Sequence, residues 1–94
     1  MIPVKQVITI EYCPQCGWML RAAYMAQELL TTFTGHVQGV LLCPSGTAGR
    51  FTVFINEQVI FDRKTMDRFP DIKELKQLVR DQVAPELSLG HSDK

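Results

Sequence analysis

Val7-Ile8-Thr9-Ile10-Glu11-Tyr12-Cys13-Pro14-Gln15-Cys16-Gly17-Trp18 runs from a β-rich segment through a pair of cysteines into a helical pattern. Ile8 and Ile10 share one face of an extended chain, and Val7 and Thr9 share the other. Apolar side chains on both faces predict a central strand over 4–12, covered on two sides. Downstream, Met19, Ala22, Ala23, Ala26, Leu30 and Phe33 recur at three- and four-residue steps. That spacing predicts a helix over 16–33 with those residues inward, ended by Gly35. The cysteine pair therefore sits at a strand-to-helix turn.

Working outward, residues 37–42 read as a second strand. A strand–helix–strand unit implies parallel pairing and a right-handed crossover. Residues 44–49, rich in Pro, Ser and Gly, form a loop. Strands over 50–55 and 58–62 flank Asn56-Glu57, a connection short enough for a hairpin of open turn type. Residues 63–69 are polar and irregular. A last helix begins near Asp71, where Asp71 and Glu74 have the spacing of a capping box, or slightly earlier if Pro70 is its first residue. Ile72, Leu75, Leu78, Val79 and Val83 make its apolar stripe, and Pro85 stops it. The order β-α-β-β-β-α is the minimal thioredoxin-like arrangement, an α/β fold. It predicts a four-stranded mixed sheet in order 2-1-3-4 with two helices. Residues 1–84 would form the domain, and 85–94 a flexible tail.

Composition narrows the function classes. The chain has 94 residues, 46% hydrophobic and 21% charged, which suits one soluble globular domain. Ten basic and ten acidic residues cancel, so no electrostatic footprint for nucleic acid or an anionic membrane is present. No apolar run approaches the roughly 20 residues that span a bilayer. The opening Met1-Ile2-Pro3-Val4-Lys5-Gln6 lacks the pattern of an export signal, so the expected location is the cytoplasm. A reducing compartment disfavours a structural disulfide and favours redox or metal use of the pair. Zinc wants four ligands. Beyond the pair only Cys43, His36 and His91 are candidates, and they lack paired spacing. No resident cofactor is expected.

Cys13 and Cys16 are the candidate catalytic residues. Residues three apart on a first helical turn lie about 5–6 Å apart, within the Cα window of a disulfide. A thiol at a helix N-terminus also feels the positive end of the dipole, which favours the thiolate. One thiolate would attack a disulfide or sulfenic acid, and the second cysteine would resolve the mixed disulfide. Cys13, lying before the helix, is expected to be the exposed nucleophile, with Cys16 shielded a turn inside. Pro14 stiffens the turn, and Gln15 is uncharged. Arg21 is the nearest base in sequence, so thiolate stabilisation would fall to helix amides. Trp18 reads equally as a partner-binding flank or as a core anchor. Tyr12 reads as a strand-end packing residue, and Cys43 as a small apolar one. Ser45 and Gly46 open a small-residue loop expected near the dithiol.

Tyr12-Cys13-Pro14-Gln15-Cys16-Gly17-Trp18, followed by Arg21-Ala22-Ala23 and Gln27-Glu28-Leu29-Leu30, resembles the selenoprotein W, T and H family, the Rdx group. It is most similar to bacterial, cysteine-containing members. Phe51-Thr52-Val53, Asp62-Arg63-Lys64, Phe69-Pro70-Asp71-Ile72-Lys73-Glu74-Leu75-Lys76 and Leu89-Gly90-His91-Ser92-Asp93 extend the likeness across nearly the whole chain. The resemblance implies a thioredoxin-like fold and thiol-based redox chemistry in cell redox homeostasis. It also implies glutathione, as co-substrate, or thiol- and disulfide-bearing proteins as partners, with the chain a monomer or weak dimer. Selenocysteine-containing members carry selenium at the position of Cys16, which keeps the reverse order of attack open. Thioredoxins place a cis-proline before the third strand, whereas this chain has Thr47-Ala48-Gly49-Arg50 there. The alternative reading is a binding module whose dithiol senses redox state.

Overall fold

The structure, a computed structural model, describes residues 5–90. Its elements are β1 (Gln6–Tyr12), α1 (Met19–Thr32), β2 (Val37–Pro44), β3 (Phe51–Ile55), β4 (Gln58–Asp62), α2 (Arg63–Met66) and α3 (Ile72–Val83). The four strands form one mixed sheet in order β2-β1-β3-β4. β1 runs parallel to β2 and antiparallel to β3, and β3 and β4 make the hairpin. This is the expected α/β, thioredoxin-like arrangement, with α2 as an added single turn in the stretch that looked irregular. Val4, expected as the strand start, lies outside the described residues.

The alternation in β1 decides the core. Ile8 and Ile10 are fully buried, and their antiparallel partners Ile55 and Val53 carry the same face across to β3. Ala22, Met25, Ala26, Leu29 and Phe33 of α1 and Leu75 and Val79 of α3 close over it. An ion pair between Lys76 Nζ and Glu28 Oε1, 2.9 Å long, ties the two helices together. Both helices thus lie on one face, which corrects the expectation of two-sided cover. On the other face Val7, Thr9 and Phe54 are half-buried, while Leu41 and Val59 are 52% and 50% exposed.

The phase of α1 also differs from its sequence reading. Met19 and Leu30, expected inward, are 48% and 44% exposed, and Met25 and Leu29 are inside instead. α1 carries Leu20 and Tyr24 on its outer half beside Arg21, Gln27 and Glu28, which widens its apolar stripe and leaves its rotation ambiguous from periodicity alone. Gly35 adopts φ +86°, as expected of a helix-ending glycine, two residues beyond the Phe33 cap. Asn56, at φ 54°, turns the hairpin, and its side-chain oxygen accepts the Val7 N–H at 3.1 Å.

Polar anchors hold the closing segment. Thr52 Oγ1 donates to Asp62 Oδ1 and Thr65 Oγ1 to Oδ2, each at 2.8 Å, which joins β3, β4 and α2. Asp71 is the N-cap of α3 but makes no side-chain capping bond. Arg68 takes Glu74 in a two-pronged pair of 2.8 and 2.7 Å, and the same carboxylate accepts the Asp71 backbone N–H, so half of the expected capping box forms. Beyond Pro85, Leu87 and Leu89 pack against the core, and Arg80 Nη1 donates to the Leu87 carbonyl. The first part of the expected flexible tail is therefore docked; residues 91–94, with His91, lie outside the described residues. Among the described residues no helix is long and apolar enough to cross a membrane.

Phe33→Ala should lower the unfolding free energy by about 3–5 kcal/mol in urea titrations, through the cavity left at a fully buried site. Leu20→Ala, at an 83% exposed site, should stay within about 0.5 kcal/mol. Hydrogen bonds from Thr65 and Thr52 hold Asp62 below its ordinary pKa, and the Arg68 hydrogen bond does the same for Glu74. In the folded chain both carboxyls thus bind protons less readily than in the unfolded chain. Their contribution is complete near neutrality and is lost as pH falls from about 5 through the depressed folded values. Denaturation midpoints should drop across that window, and Glu74→Gln should flatten part of the slope.

Candidate redox site

Strand β1 ends at Tyr12, which is buried with the core, and Cys13 follows it into the interior at 1% exposure. The chain then reverses. The Gly17 N–H donates to the Pro14 carbonyl at 3.1 Å, and Gly17 takes φ +77°, a left-handed conformation that glycine adopts without steric cost. Pro14, with φ already restricted, enters this turn without conformational loss. Pro14, Gln15 and Cys16 are all exposed. Cys13 and Cys16 are disulfide-bonded across the turn, with Cα atoms 5.4 Å apart.

The helix does not begin within the motif. Its N-cap is Trp18, and the first helical bond runs from the Ala22 N–H to the Trp18 carbonyl at 3.0 Å. A left-handed Gly17 cannot belong to a right-handed helix, so the expected start at Cys16 moves to Met19. This reverses the expected exposure: Cys13 is the sealed sulfur and Cys16 the open one. It also weakens the dipole argument for Cys13, because that field falls off within the first turn.

Around the pair, the Ser45 N–H donates to the Tyr12 carbonyl at 2.8 Å, and the Ser45 hydroxyl accepts the Thr47 N–H at 3.0 Å. Tyr12 is opposite Pro44 on one side and Phe51 on the other. Extending that register by one residue sets Cys13 between Ser45 and Arg50. Gly46 lies in the exposed bend beyond. The residue before β3 is Arg50, and every peptide among the described residues is trans. Its guanidinium binds Glu11 Oε1 through Nε and Nη2, both at 2.7 Å.

Trp18 resolves as an anchor at the rim. It is half-buried and packs edge-to-face with Phe69 at 4.8 Å and with Phe51 at 6.4 Å, and those two rings meet at 5.2 Å. Arg21 lies 4.0 Å over the Phe69 ring. Arg63 lies 4.9 Å from the Trp18 ring centre and donates to the Gly49 carbonyl at 3.3 Å. Phe69, Arg50 and Arg63 were not singled out from sequence. Phe69 alone had a usable signal, as a large aromatic before a proline in a polar stretch.

A small cavity of about 120 Å³, lined by Thr47, Ala48, Gly49, Arg50, Asp62 and Lys64, contains neither sulfur on its wall. Cys43 is a free thiol, half-buried on the sheet face away from the helices, opposite Glu11 in the β1–β2 register. Among the described residues no three His, Cys, Asp or Glu side chains cluster as metal ligands. What remains is a two-electron couple with one accessible sulfur and one protected sulfur.

The chain is similar to two solved structures. One, from Bordetella parapertussis, is 48% identical with a TM-score of 0.81, covering 84% of this chain and 99% of that one. The other, a selenoprotein W-related protein from Vibrio cholerae, is 50% identical with a TM-score of 0.79, covering 83% and 96%. No curated protein matches. The Rdx family model matches residues 7–81. Family and paired cysteines together point to a redox role. A match over most of the chain, spanning the sheet, the dithiol turn and nearly all of α3, shows that it belongs to the Rdx family, the selenoprotein W-like group.

Proposed function

We propose that this protein is a thiol–disulfide redox protein in which Cys16 exchanges with partners and Cys13 resolves. The observation that carries it is the asymmetry of the pair: bonded to each other, one sulfur exposed and the other 1% exposed. Disulfide exchange requires in-line approach to a sulfur, and only the exposed one admits a second molecule.

In the reduced protein the Cys16 thiolate attacks one sulfur of a substrate disulfide. That bond breaks, a mixed disulfide forms on Cys16, and the departing thiolate takes a proton from water. The Cys13 thiolate then attacks the Cys16 sulfur. The 13–16 disulfide forms, the substrate's second thiolate leaves, and two electrons have passed to the substrate. A pair of thiols, from glutathione or a protein dithiol, returns the electrons by the reverse steps. A sulfenic acid can replace the disulfide as acceptor, with water as the leaving group. Because residues 14–17 form a self-contained turn ahead of α1, the bond can open and close without repacking the core. The setting we assign is redox homeostasis in a reducing cytoplasm, where such a bond is transient.

Cys13→Ser should trap partners on Cys16 as mixed disulfides, giving about tenfold more covalent adduct on non-reducing gels than Cys16→Ser. Adducts concentrated on Cys16→Ser would reverse the assignment. A wild-type pair that stays reduced in oxidised glutathione buffer, by mass, would remove the function.

A further inference from the structure

The chain has five arginines. Three are paired with carboxylates: Arg50 with Glu11 at 2.7 Å, Arg68 with Glu74 at 2.7 Å and Arg80 with Asp81 at 3.1 Å. Arg21 and Arg63 have no carboxylate partner among the described residues. These two sit at one place. Arg21 lies 4.0 Å and Arg63 5.6 Å from the centre of the same Phe69 ring, and Arg63 also lies 4.9 Å from that of Trp18. Trp18 follows Cys16 by two residues, so its Cα is within about 7.6 Å of that of the exposed cysteine. A chain with ten cations and ten anions thus keeps its two unpaired guanidinium groups at the rim of the dithiol.

Local neighbours do not neutralise them. The first turn of α1 holds no acidic residue, and the residues three and four away from Arg21, which are Gly17, Trp18, Tyr24 and Met25, are uncharged. Lys64, exposed and also without an ionic partner among the described residues, adds a third cation on the wall of the cavity beside Arg63. The carboxylate on that wall, Asp62, spends its two oxygens on the Thr52 and Thr65 hydroxyls. A guanidinium resting on a ring by its face keeps its N–H edge for a carboxylate in its own plane. Arg63 gives its Nε to the Gly49 carbonyl at 3.3 Å, which leaves the terminal N–H groups for a ligand. Ring contact also orders both side chains beforehand, which lowers the cost of binding.

Resting on the thiol–disulfide reading, we infer that Arg21 and Arg63 select the substrate: a disulfide with a carboxylate close to its sulfur, which they bind while that sulfur meets Cys16. The carboxylate stays ionised throughout, and the bonds made and broken in the exchange are unchanged. Glutathione and an acidic stretch of polypeptide both offer this chemistry. Opposite charge raises the encounter rate and fixes the register of the complex, and both effects shrink as salt screens them.

The test is the second-order rate of exchange between the reduced protein and two matched pairs of disulfide probes. One pair is glutathione disulfide and its tetraethyl ester, with the carboxylates masked. The other is two peptides of equal length with glutamate or glutamine beside the cysteine. Each rate is divided by that of the same probe with 2-mercaptoethanol, which removes the probe's own reactivity. Wild type should favour the free carboxylate in at least one pair by about tenfold at low salt, and the preference should shrink towards unity in about 0.5 M salt. A preference in the glutathione pair alone identifies a small thiol as the source, and one in the peptide pair alone a protein. Arg21→Gln and Arg63→Gln should each cut the preference about threefold, Arg63→Lys less, and Arg21→Glu should abolish it. A merely structural clamp would move all rates together and leave the ratio unchanged. Arg21 is exposed, so its variants keep the test open if Arg63→Gln loosens Trp18. Equal rates within both pairs, or a preference that survives both Arg21→Glu and Arg63→Gln, would overturn the inference while leaving thiol exchange intact. Exchange with none of the probes would overturn it together with the function on which it rests.

Discussion

The edge-to-face seating of Trp18 between Phe51 and Phe69 is the contact on which the site depends. It pins the N-cap of α1 to the start of β3 and to the segment leading into α3. With Trp18 fixed there and Tyr12 fixed at the end of β1, five residues must cross from sheet to helix. Gly17 in its left-handed conformation makes that crossing a closed turn. The turn leaves Cys13 facing inward, where the strand delivered it, and carries Cys16 to the surface. Aromatic packing beyond simple area burial contributes roughly 0.5–1.5 kcal/mol per pair, and two such contacts hold Trp18 while a third joins Phe51 to Phe69.

Charges near the site serve geometry more than thiolate chemistry. Arg63 clamps the Trp18 ring to the loop carbonyl of Gly49, and Arg50 is neutralised by Glu11 across the sheet.

Much of the fold was legible in the residues. The alternation of Ile8 and Ile10, the helical spacing in residues 19–33 and the short Asn56-Glu57 connection fix the strand–helix–strand unit and the hairpin, and from these the order 2-1-3-4 follows. Local pattern could not set the rotation of α1, because its apolar stripe is broad, with Met19, Leu20, Tyr24 and Leu30 beyond the buried residues, until Trp18 packs on its two phenylalanines. The helical spacing that starts beside Cys16 takes in Gly17, whose φ is instead decided by the turn it must close. The exposure of the two cysteines follows from that one dihedral, so it was misread for the same reason. The pairing of Arg68 with Glu74 is likewise a tertiary event that spacing alone does not announce.

The most direct measurement is residue-resolved alkylation of the fully reduced protein. Limiting iodoacetamide, a quench and peptide mass analysis give a separate rate for each cysteine. Cys16 should be modified first, at least about tenfold faster than Cys13, whose rate should rise only when denaturant opens the fold. Faster modification of Cys13 in the native protein would contradict the outward placement of Cys16 and everything derived from it.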